Sequence, residues 1–245
     1  MRYLILADIH SNVEAFRAVL EDAEGGEGYH HLWCLGDIVG YGPDPEECVQ
    51  LLRSLDPVCV AGNHDWAAVG KLDVSQFNAD AAAAASWTAQ QLSPESKTYL
   101  SGLPLSPQEG DFTLVHGSPR DPIWEYVIST PIARLCFAEF QTLYCLVGHS
   151  HIPHFYEHRP QTGDCFLRAM PKGEPLMLGD TRLIINPGSV GQPRDGNPAA
   201  SYLIYDSEAR SLRHYRALYD VKATQQKMRR HGLPYRLIER LGFGW

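Results

Sequence analysis

The sequence predicts a layered α/β fold on the basis of three observations. Before about residue 152, short apolar runs alternate with helical patterns, which is typical of α/β proteins. Beyond that point the apolar runs follow one another with no long helical pattern between them, which indicates an antiparallel or mixed sheet. No low-complexity linker and no internal repeat divides the 245 residues, so we expect a single domain over 1–245 with a helical tail at about 221–241.

Five strands are predicted in the first part of the chain, because five apolar runs of strand length are bounded by turn residues. They are YLILA (3–7), HLWCL (31–35), PVCVA (57–61), FTLVH (112–116) and LYCLVG (143–148).

Helices are predicted between these strands wherever a capping side chain or a first-turn proline precedes a helical pattern. At Asp44 the cap is followed by Pro45 and by Glu47 in the capping-box position, so a helix should begin there. The other predicted starts are Asn12, Asn78, Ser93 and Thr130.

Further strands are predicted after residue 152, and the tail should contain two short helices separated by Gly232-Leu233-Pro234. The strand segments are HFYEH, CFLRA, RLIIN, SYLIYD and LRHYRA.

Charge and composition exclude several classes of partner. The net charge is -8, from 21 basic and 29 acidic residues, which disfavours a stable nucleic-acid partner. No run of about 18 apolar residues is present, so we expect no membrane span, and the start MRYLILADIH is typical of a buried strand rather than a signal peptide. The six scattered cysteines are interpreted as small buried hydrophobes of a cytoplasmic protein.

Each of the five strands ends in side chains that can bind a metal. If the strands are mostly parallel neighbours, these side chains converge at the edge of the sheet where sites in α/β proteins form. Carboxylate, amide oxygen and imidazole together suit manganese, iron, zinc or nickel. Seven groups exceed the needs of one four-coordinate ion, so two ions about 3.5–4 Å apart and sharing an aspartate are predicted. The seven are Asp8, His10, Asp37, Asn63, His116, His149 and His151.

A structural role is the alternative for each member taken alone, because a single histidine at a strand end is more often a hydrogen-bonded residue than a ligand. Five such signals in order favour the metal site for the set. We assign the remaining histidines other than His64 to structural roles, namely His30, His31, His154, His158, His214 and His231.

The ordered motifs DIH, GDIVGYGP, GNHD, HGS and GHSHIP resemble those of the calcineurin-like metallophosphoesterase superfamily, from residue 1 to about 206. YGPDPEEC, HGSPRDPIWEY and NPGSVGQPRDG are similar to its bacterial phosphatase and phosphodiesterase branch. The resemblance implies a β-sandwich of two mixed sheets flanked by helices, in four layers α/β/β/α, with a two-metal centre at one edge. It also implies manganese foremost, with iron, zinc, nickel or magnesium as alternatives.

The resemblance implies roles for the residues of these motifs. Asp8, His10 and His151 would bind one metal, Asn63, His116 and His149 would bind the other, and Asp37 would bridge both. His64 would be the catalytic histidine, which stabilises phosphoryl oxygens or protonates the leaving oxygen. Asp65 would orient this imidazole and keep it protonated; a role as a helix or turn cap is equally open.

The resulting hypothesis is hydrolysis of a small or nucleotide-like phosphoester by a metal-bridging hydroxide. Arg194, Tyr41 and Tyr126 are candidate substrate contacts, although for Arg194 the sequence slightly favours a solvated arginine in a surface turn. Two alternatives stay open, a non-catalytic scaffold on the same fold and a nuclease of the superfamily. The presence of His64 beside a full ligand set favours the enzyme.

Overall fold

The computed structural model describes residues 1–159 and 161–245, which form twelve strands and eight α-helices. The strands are β1 (Arg2–Leu6), β2 (His31–Cys34), β3 (Val58–Cys59), β4 (Gln108–Glu109), β5 (Phe112–Leu114), β6 (Tyr144–Leu146), β7 (Pro153–Arg159), β8 (Asp164–Ala169), β9 (Leu176–Met177), β10 (Leu183–Pro187), β11 (Ala200–Asp206) and β12 (Ser211–Ala217). The helices are α1 (Val13–Gly25), α2 (Pro45–Ser54), α3 (Asn63–Ala68), α4 (Ala79–Gln91), α5 (Pro94–Gly102), α6 (Thr130–Cys136), α7 (Val221–Arg230) and α8 (Tyr235–Arg240).

The strands form two six-stranded mixed sheets. Sheet A has the order β3-β2-β1-β11-β12-β9, and sheet B has the order β4-β5-β6-β10-β7-β8. In sheet A, β1, β2 and β3 are parallel, whereas β11 pairs with β1 in the antiparallel direction. In sheet B, β6 is parallel to both β5 and β10, and β7 is antiparallel to β10. The predicted sandwich of two mixed sheets is confirmed.

The four predicted layers follow from the alternation of side chains along the strands. In β1, Leu4 and Leu6 pack in a cluster with α1 and α2, whereas Ile5 points to the other face. Ile5 packs with Leu114 and Leu146 of sheet B, so both sheets contribute to the central core. The outer face of sheet B is covered by α6 and the residues that follow it.

The strands are distributed between the sheets in a way that local sequence does not specify. The five strands that end in candidate ligands are parallel neighbours within each sheet, β1, β2 and β3 in sheet A and β5 and β6 in sheet B. The strands after residue 152 are divided between the two sheets and complete both.

Most predicted helix starts are confirmed by their caps. The side chains of Asn12, Asn78 and Ser93 each accept a hydrogen bond from a backbone N–H of the first turn. Asp44 stands at the N-cap of α2 but makes no capping bond, and its Oδ1 accepts a hydrogen bond from Lys227 Nζ.

The cysteines lie mainly in the interior of the fold, as the sequence predicted. The six cysteines are free in the described residues, five buried and Cys165 half-buried. Within 1–159 and 161–245, every helix is too short or too polar to cross a lipid bilayer.

The tail forms the two predicted helices, and they pack close to the predicted site. An apolar cluster, which we call the tail cluster, contains Met228 of α7, Leu237 and Ile238 of α8, and Tyr41. These side chains pack against the alanine side chains on one face of α4. The tail is therefore part of the wall around the loop that contains Tyr41.

Candidate metal centre

The seven predicted ligands meet in one buried site between the two sheets, and each has at most 3% of its surface exposed. The ends of β1, β2 and β3 supply four of them, and the ends of β5 and β6 supply three. The first four are Asp8, His10, Asp37 and Asn63, and the other three are His116, His149 and His151.

Ligand atoms come within 4.8 Å of one another in three groups, which are Asp8-His10-His151, Asp37-His116-His149 and His10-Asp37-His64. Asp37 lies between the first two groups, since its Oδ2 is 3.6 Å from His10 Nε2 and 3.3 Å from His116 Nε2. Asn63 Oδ1 is 3.1 Å from His116 Nε2. The six histidines assigned to structural roles belong to none of these groups in the described residues.

Three of the imidazoles have one nitrogen fixed by the backbone. Nδ1 of each lies at hydrogen-bond distance from a carbonyl oxygen, so Nδ1 carries a proton and Nε2 faces the site. Consequently His10 Nε2 and His151 Nε2, 3.1 Å apart, point two lone pairs at each other. A cation is the group that such an arrangement accommodates. The carbonyl partners of His10, His116 and His151 are those of Val39 (3.1 Å), Leu35 (2.8 Å) and Gln192 (2.7 Å).

Several buried polar atoms in this site lack a hydrogen-bond partner among the described residues. They include Asp8 Oδ2, Asp37 Oδ2 and His149 Nε2. Buried polar groups are normally satisfied, so unpaired acceptors of this kind call for a ligand. Carboxylate, amide oxygen and imidazole nitrogen form a donor set that fits divalent transition metals.

The electrostatics of the site also favour positive charge. Burial raises the pKa of Asp8 to about 7. Burial opposes ionisation of Asp37 as well, but the histidines around it outweigh burial and lower its pKa well below the usual range. Burial alone would lower the pKa of His116, yet the Asp37 carboxylate raises it to about 9. Asp37 therefore creates a potential that holds a cation beside it.

The backbone at the ligand positions is strained. Five of the predicted ligands have a left-handed φ, which non-glycine residues rarely adopt and which concentrates at functional sites. They are Asp8 (55°), His10 (48°), Asp37 (52°), His149 (65°) and His151 (61°). These angles turn each side chain from the end of its strand into the site.

Two glycines allow the close approach of site residues. A Cβ on Gly62 would lie 2.1 Å from Asp37 Oδ1, and a Cβ on Gly40 would lie 2.5 Å from His64 Nδ1. Any other residue at these positions would displace the neighbouring side chain.

His64 lies beside the ligands at the first turn of α3. Its backbone N–H donates a hydrogen bond to Asp37 Oδ1 (2.9 Å), and its ring stands 4.2 Å from the Tyr41 ring and 4.8 Å from the Phe77 ring. Burial lowers the pKa of His64 to about 4, and its Nδ1 has no partner among the described residues. The structure places His64 close enough to His10 and Asp37 to join a ligand group as well.

Asp65 does not contact the imidazole of His64 as the first of its two predicted roles requires. Its Oδ1 accepts a hydrogen bond from Val39 N–H (3.1 Å) and its Oδ2 accepts one from Gly62 N–H (2.9 Å). Both oxygens are thus used on backbone amides, which agrees with the alternative role as a cap. Asp65 fixes the loops that present Asp37 and His64.

The three predicted substrate contacts border the metal centre. The guanidinium carbon of Arg194 lies 5.8 Å from the centre of the Tyr41 ring, and Nη2 donates a hydrogen bond to Gln192 Oε1 (2.8 Å). Arg194 is therefore half-buried beside the site, contrary to the solvated alternative. The Tyr126 ring stacks on the His149 ring at 3.7 Å.

Sequence reasoning missed Phe77 as a site residue. Phe77 and Trp124, whose ring centres are 5.2 Å apart, line a cavity of about 130 Å³ together with His64 and Tyr126; we call this the aromatic cavity. Phe77 stands in a polar segment with no motif around it, so no local signal identifies it. Leu35, Val39 and Gln192 were missed for a related reason, since they act through carbonyl oxygens that any residue type provides.

Comparison with known proteins gives a consistent result. A family model described as the calcineurin-like phosphoesterase superfamily domain matches residues 1–210. A metallophosphoesterase from Sphaerobacter thermophilus has a similar structure, with a TM-score of 0.91 and 45% sequence identity, over 100% of this chain and 99% of that one.

Two relatives are informative at the level of sequence. An uncharacterized protein of Methanocaldococcus jannaschii is 39% identical over 245 residues, which is 98% of this chain and 97% of the relative. A symmetrical bis(5'-nucleosyl)-tetraphosphatase of Vibrio campbellii is 26% identical over 145 residues, which is 58% of this chain and 52% of that protein. The first match spans the whole chain, and the second spans about half of each protein.

Proposed function

Because the chain belongs to the calcineurin-like phosphoesterase superfamily, we propose that it is a hydrolase of phosphoesters that uses two divalent cations at the candidate metal centre. The observation that carries this proposal is the position of Asp37, whose Oδ2 lies 3.6 Å from His10 Nε2 and 3.3 Å from His116 Nε2, two histidines of different ligand groups. The buried donors with unpaired lone pairs favour a bound cation, since such a set destabilises the fold unless a cation occupies it. His64 beside these donors favours an enzyme over a scaffold that only binds metal.

The ligands divide into two sets around Asp37. Asp8, His10 and His151 would hold one cation, and Asn63, His116 and His149 would hold the other. We expect manganese foremost, with iron, zinc, nickel or magnesium as alternatives, because the donors combine carboxylate and amide oxygens with imidazole nitrogens. Bound cations would lower the pKa of water and neutralise the charge of phosphoryl oxygens.

The residues of the chain itself have separate tasks in this proposal. His64 donates a hydrogen bond to a phosphoryl or leaving-group oxygen, since it lines the aromatic cavity beside the ligands. Asp65 holds the start of α3, and through it the backbone of His64. Arg194 binds a phosphoryl oxygen as a charged donor. Tyr41 and Phe77 exclude water around the imidazole of His64.

We propose a small, nucleotide-like phosphoester as the substrate. The aromatic cavity offers flat side chains on which a base or another ring can stack. The partial match to a bis(5'-nucleosyl)-tetraphosphatase supports the same class. The net charge of -8 opposes a long nucleic acid, which disfavours the nuclease alternative. A single domain and a cytoplasmic location remain predictions from the sequence.

The test combines metal analysis with two model substrates. We expect the purified protein to bind two equivalents of Mn²⁺ and to hydrolyse 4-nitrophenyl phosphate, bis(4-nitrophenyl) phosphate or both. His64→Ala should keep both metal equivalents and lower kcat by about 10²- to 10⁴-fold, as expected for loss of a general acid or a charge-stabilising donor. His231→Ala, which changes an exposed histidine, is the matched control and should retain activity.

Two outcomes would contradict this assignment in different ways. Stoichiometric metal without hydrolysis of either ester would favour the scaffold alternative. Loss of a metal equivalent in His64→Ala would show that His64 is a ligand, as its proximity to His10 and Asp37 permits.

A further inference from the structure

A second recess opens beside the candidate metal centre, between the start of α4 and helix α8. Its volume is about 500 Å³, and its walls include Tyr41, Asn78, Arg236, Arg240 and Trp245; we call it the tail groove. Tyr41 and Asn78 also line the aromatic cavity, so the two recesses are neighbours around the same two side chains. A ligand at the metal centre could therefore extend into the tail groove.

The tail groove contains arginine side chains that pair with no aspartate or glutamate among the described residues. Arg236 and Arg240 are four residues apart on α8, so they lie on the same face of the helix. In the described residues, neither these two nor Arg194 has an aspartate or glutamate oxygen within 4.0 Å, whereas seven other arginines are paired in this way. Asp80 also lines the groove but forms no such pair.

Two of these arginines have donors prepared for an anion. Arg240 donates from Nε to the carbonyl oxygen of Trp245, which orients the guanidinium and leaves its terminal nitrogens available. Arg194 has a buried Nε without a hydrogen-bond partner among the described residues. Burial lowers the pKa of Arg240, and the charge of Arg194 lowers it further. The two guanidinium groups therefore repel each other, and an anion near both would relieve this repulsion.

Helix α8 is held firmly enough to form a binding wall. Leu237 and Ile238 are buried in the tail cluster, and α7 is tied to the first part of the chain by Lys227, whose Nζ lies 2.6 Å from Glu14 Oε1 and 3.0 Å from Asp44 Oδ1. The family model ends at residue 210, so the tail arginines lie outside the residues that it matches.

Resting on the proposed phosphoester hydrolysis, we propose that Arg236 and Arg240 bind a second phosphate of the substrate, with Arg194 between this phosphate and the one that reacts. The substrate class is then a phosphoester that carries a further phosphate, either along a polyphosphate chain or on the sugar of a nucleotide. Guanidinium groups bind phosphate through paired N–H donors, and two of them on one helix face give both charge and geometry.

The test compares two esters that differ only in the second phosphate. These are thymidine 5'-(4-nitrophenyl phosphate) and the same ester with a 3'-phosphate. We expect the 3'-phosphate to raise kcat/KM roughly tenfold in the unmodified protein, because hydrogen bonds between charged groups strengthen binding by a factor of this order. The ratio of the two kcat/KM values should fall to near one in Arg236→Gln/Arg240→Gln. Arg230→Gln removes an exposed charge at the end of α7 and should keep the original ratio.

A polyphosphate chain is tested with inorganic inhibitors. Tripolyphosphate should inhibit more strongly than phosphate, and this difference should shrink in the double variant. A higher kcat/KM for the ester with the 3'-phosphate supports a second phosphate on the sugar. Stronger inhibition by tripolyphosphate than by phosphate supports a polyphosphate chain. The proposal would be overturned if the unmodified protein showed neither effect. It would also be overturned if the double variant retained both effects in full with an unchanged Tm.

Calorimetry separates this inference from the proposed hydrolysis. Pyrophosphate titrated into the chelator-treated protein should bind roughly tenfold more weakly to the double variant than to Arg230→Gln. This result would support the tail groove even if neither ester were hydrolysed. Hydrolysis of both esters with equal pyrophosphate affinities would reject the groove and leave the hydrolase proposal intact.

Discussion

At the scale of single residues, the metal centre depends on backbone conformations as much as on side-chain types. The left-handed φ angles of Asp8, Asp37 and His149 cost free energy, on the order of 1–3 kcal/mol each. They persist because neighbouring hydrogen bonds fix the loops, as Asp65 does for Val39 and Gly62. The site is therefore preorganised before any ligand binds.

Gly40→Ala should disturb the reaction without removing the metals. An alanine Cβ would collide with His64 Nδ1 at 2.5 Å and displace the ring. We expect kcat to fall by about 100-fold with the metal content unchanged. A factor of this size is at the lower end of what the loss of a general acid or hydrogen-bond donor causes. Gly70→Ala is the matched control, because Gly70 also has a positive φ (76°) but has open space around it. Equal losses in both variants would show that backbone strain alone, and not displacement of His64, is responsible.

Asp65→Asn should reduce stability more than catalysis. An asparagine has one acceptor oxygen, so either Val39 N–H or Gly62 N–H would lose its buried acceptor. We expect the free energy of unfolding to fall by about 1–3 kcal/mol, measured by urea denaturation. Asp73→Asn, at an exposed cap that asparagine can replace, is the control and should change little. A large fall in kcat at unchanged stability would instead favour a direct action of Asp65 on His64.

At the scale of elements, the sequence was a good guide to where helices begin and a poor guide to strand length. The caps at Asn12, Asn78 and Ser93 depend on bonds within one turn, so local sequence determines them. At Asp44 the helix begins as predicted but without a capping bond, and the carboxylate binds Lys227, which lies far along the chain. β3 has two residues where the apolar run suggested five, since only Val58 and Cys59 find partners on β2.

Lys227→Met should loosen the tail. Its ammonium joins α7 to Glu14 of α1 and to Asp44 before α2, and a methionine keeps the length of the side chain without its charge. About one third of the lysine side chain is exposed, so the loss of global stability should be no more than about 1 kcal/mol. Hydrogen exchange should nevertheless quicken at the amides of α7 and α8 relative to Lys222→Met, an exposed position of the same helix. Unchanged exchange would show that the tail cluster alone holds the helices.

At the scale of the whole molecule, the sequence predicted the layers and the seven side chains that meet in the site, but not the distribution of strands between sheets. Motif order and residue type identify candidate ligands, because metals select donors directly. Sheet membership depends on pairings between distant segments, such as Ile5 with Leu203 in β1 and β11, which no local pattern specifies. The role of the tail escaped prediction for the same reason, since its contacts with Tyr41 appear only after folding.

A pH prediction concerns the contact between the sheets. Ser201 Oγ of β11 donates to the carbonyl oxygen of Pro187 in β10 and lies 2.8 Å from His214 Nε2 of β12. The pKa of His214 is lowered from 6.5 to about 4. Burial is the main cause, the charge of Arg216 adds to it, and the charge of Asp195 acts in the opposite direction. The unfolded chain therefore binds the proton more readily, so stability is complete above pH 6.5 and falls as the pH decreases from 6.5 to 4.

We expect His214→Gln to lose less stability than the unmodified protein over this interval. The difference should be about 1–3 kcal/mol between pH 6.5 and pH 4, measured as the change in the free energy of unfolding by urea. Because other buried histidines titrate in the same interval, the comparison uses the difference in slope between the two proteins. Parallel slopes would show that His214 is protonated equally in both states.

The pairing of β1 with β11 has a consequence for how the chain matures. Its neighbour in the sheet, Ala200–Asp206, is synthesised long after β1 itself. Until then one edge of β1 lacks its partner, and long-range closure of this kind makes folding slow. The segment that presents Asp8 and His10 therefore reaches its final pairing only after β11 has been synthesised.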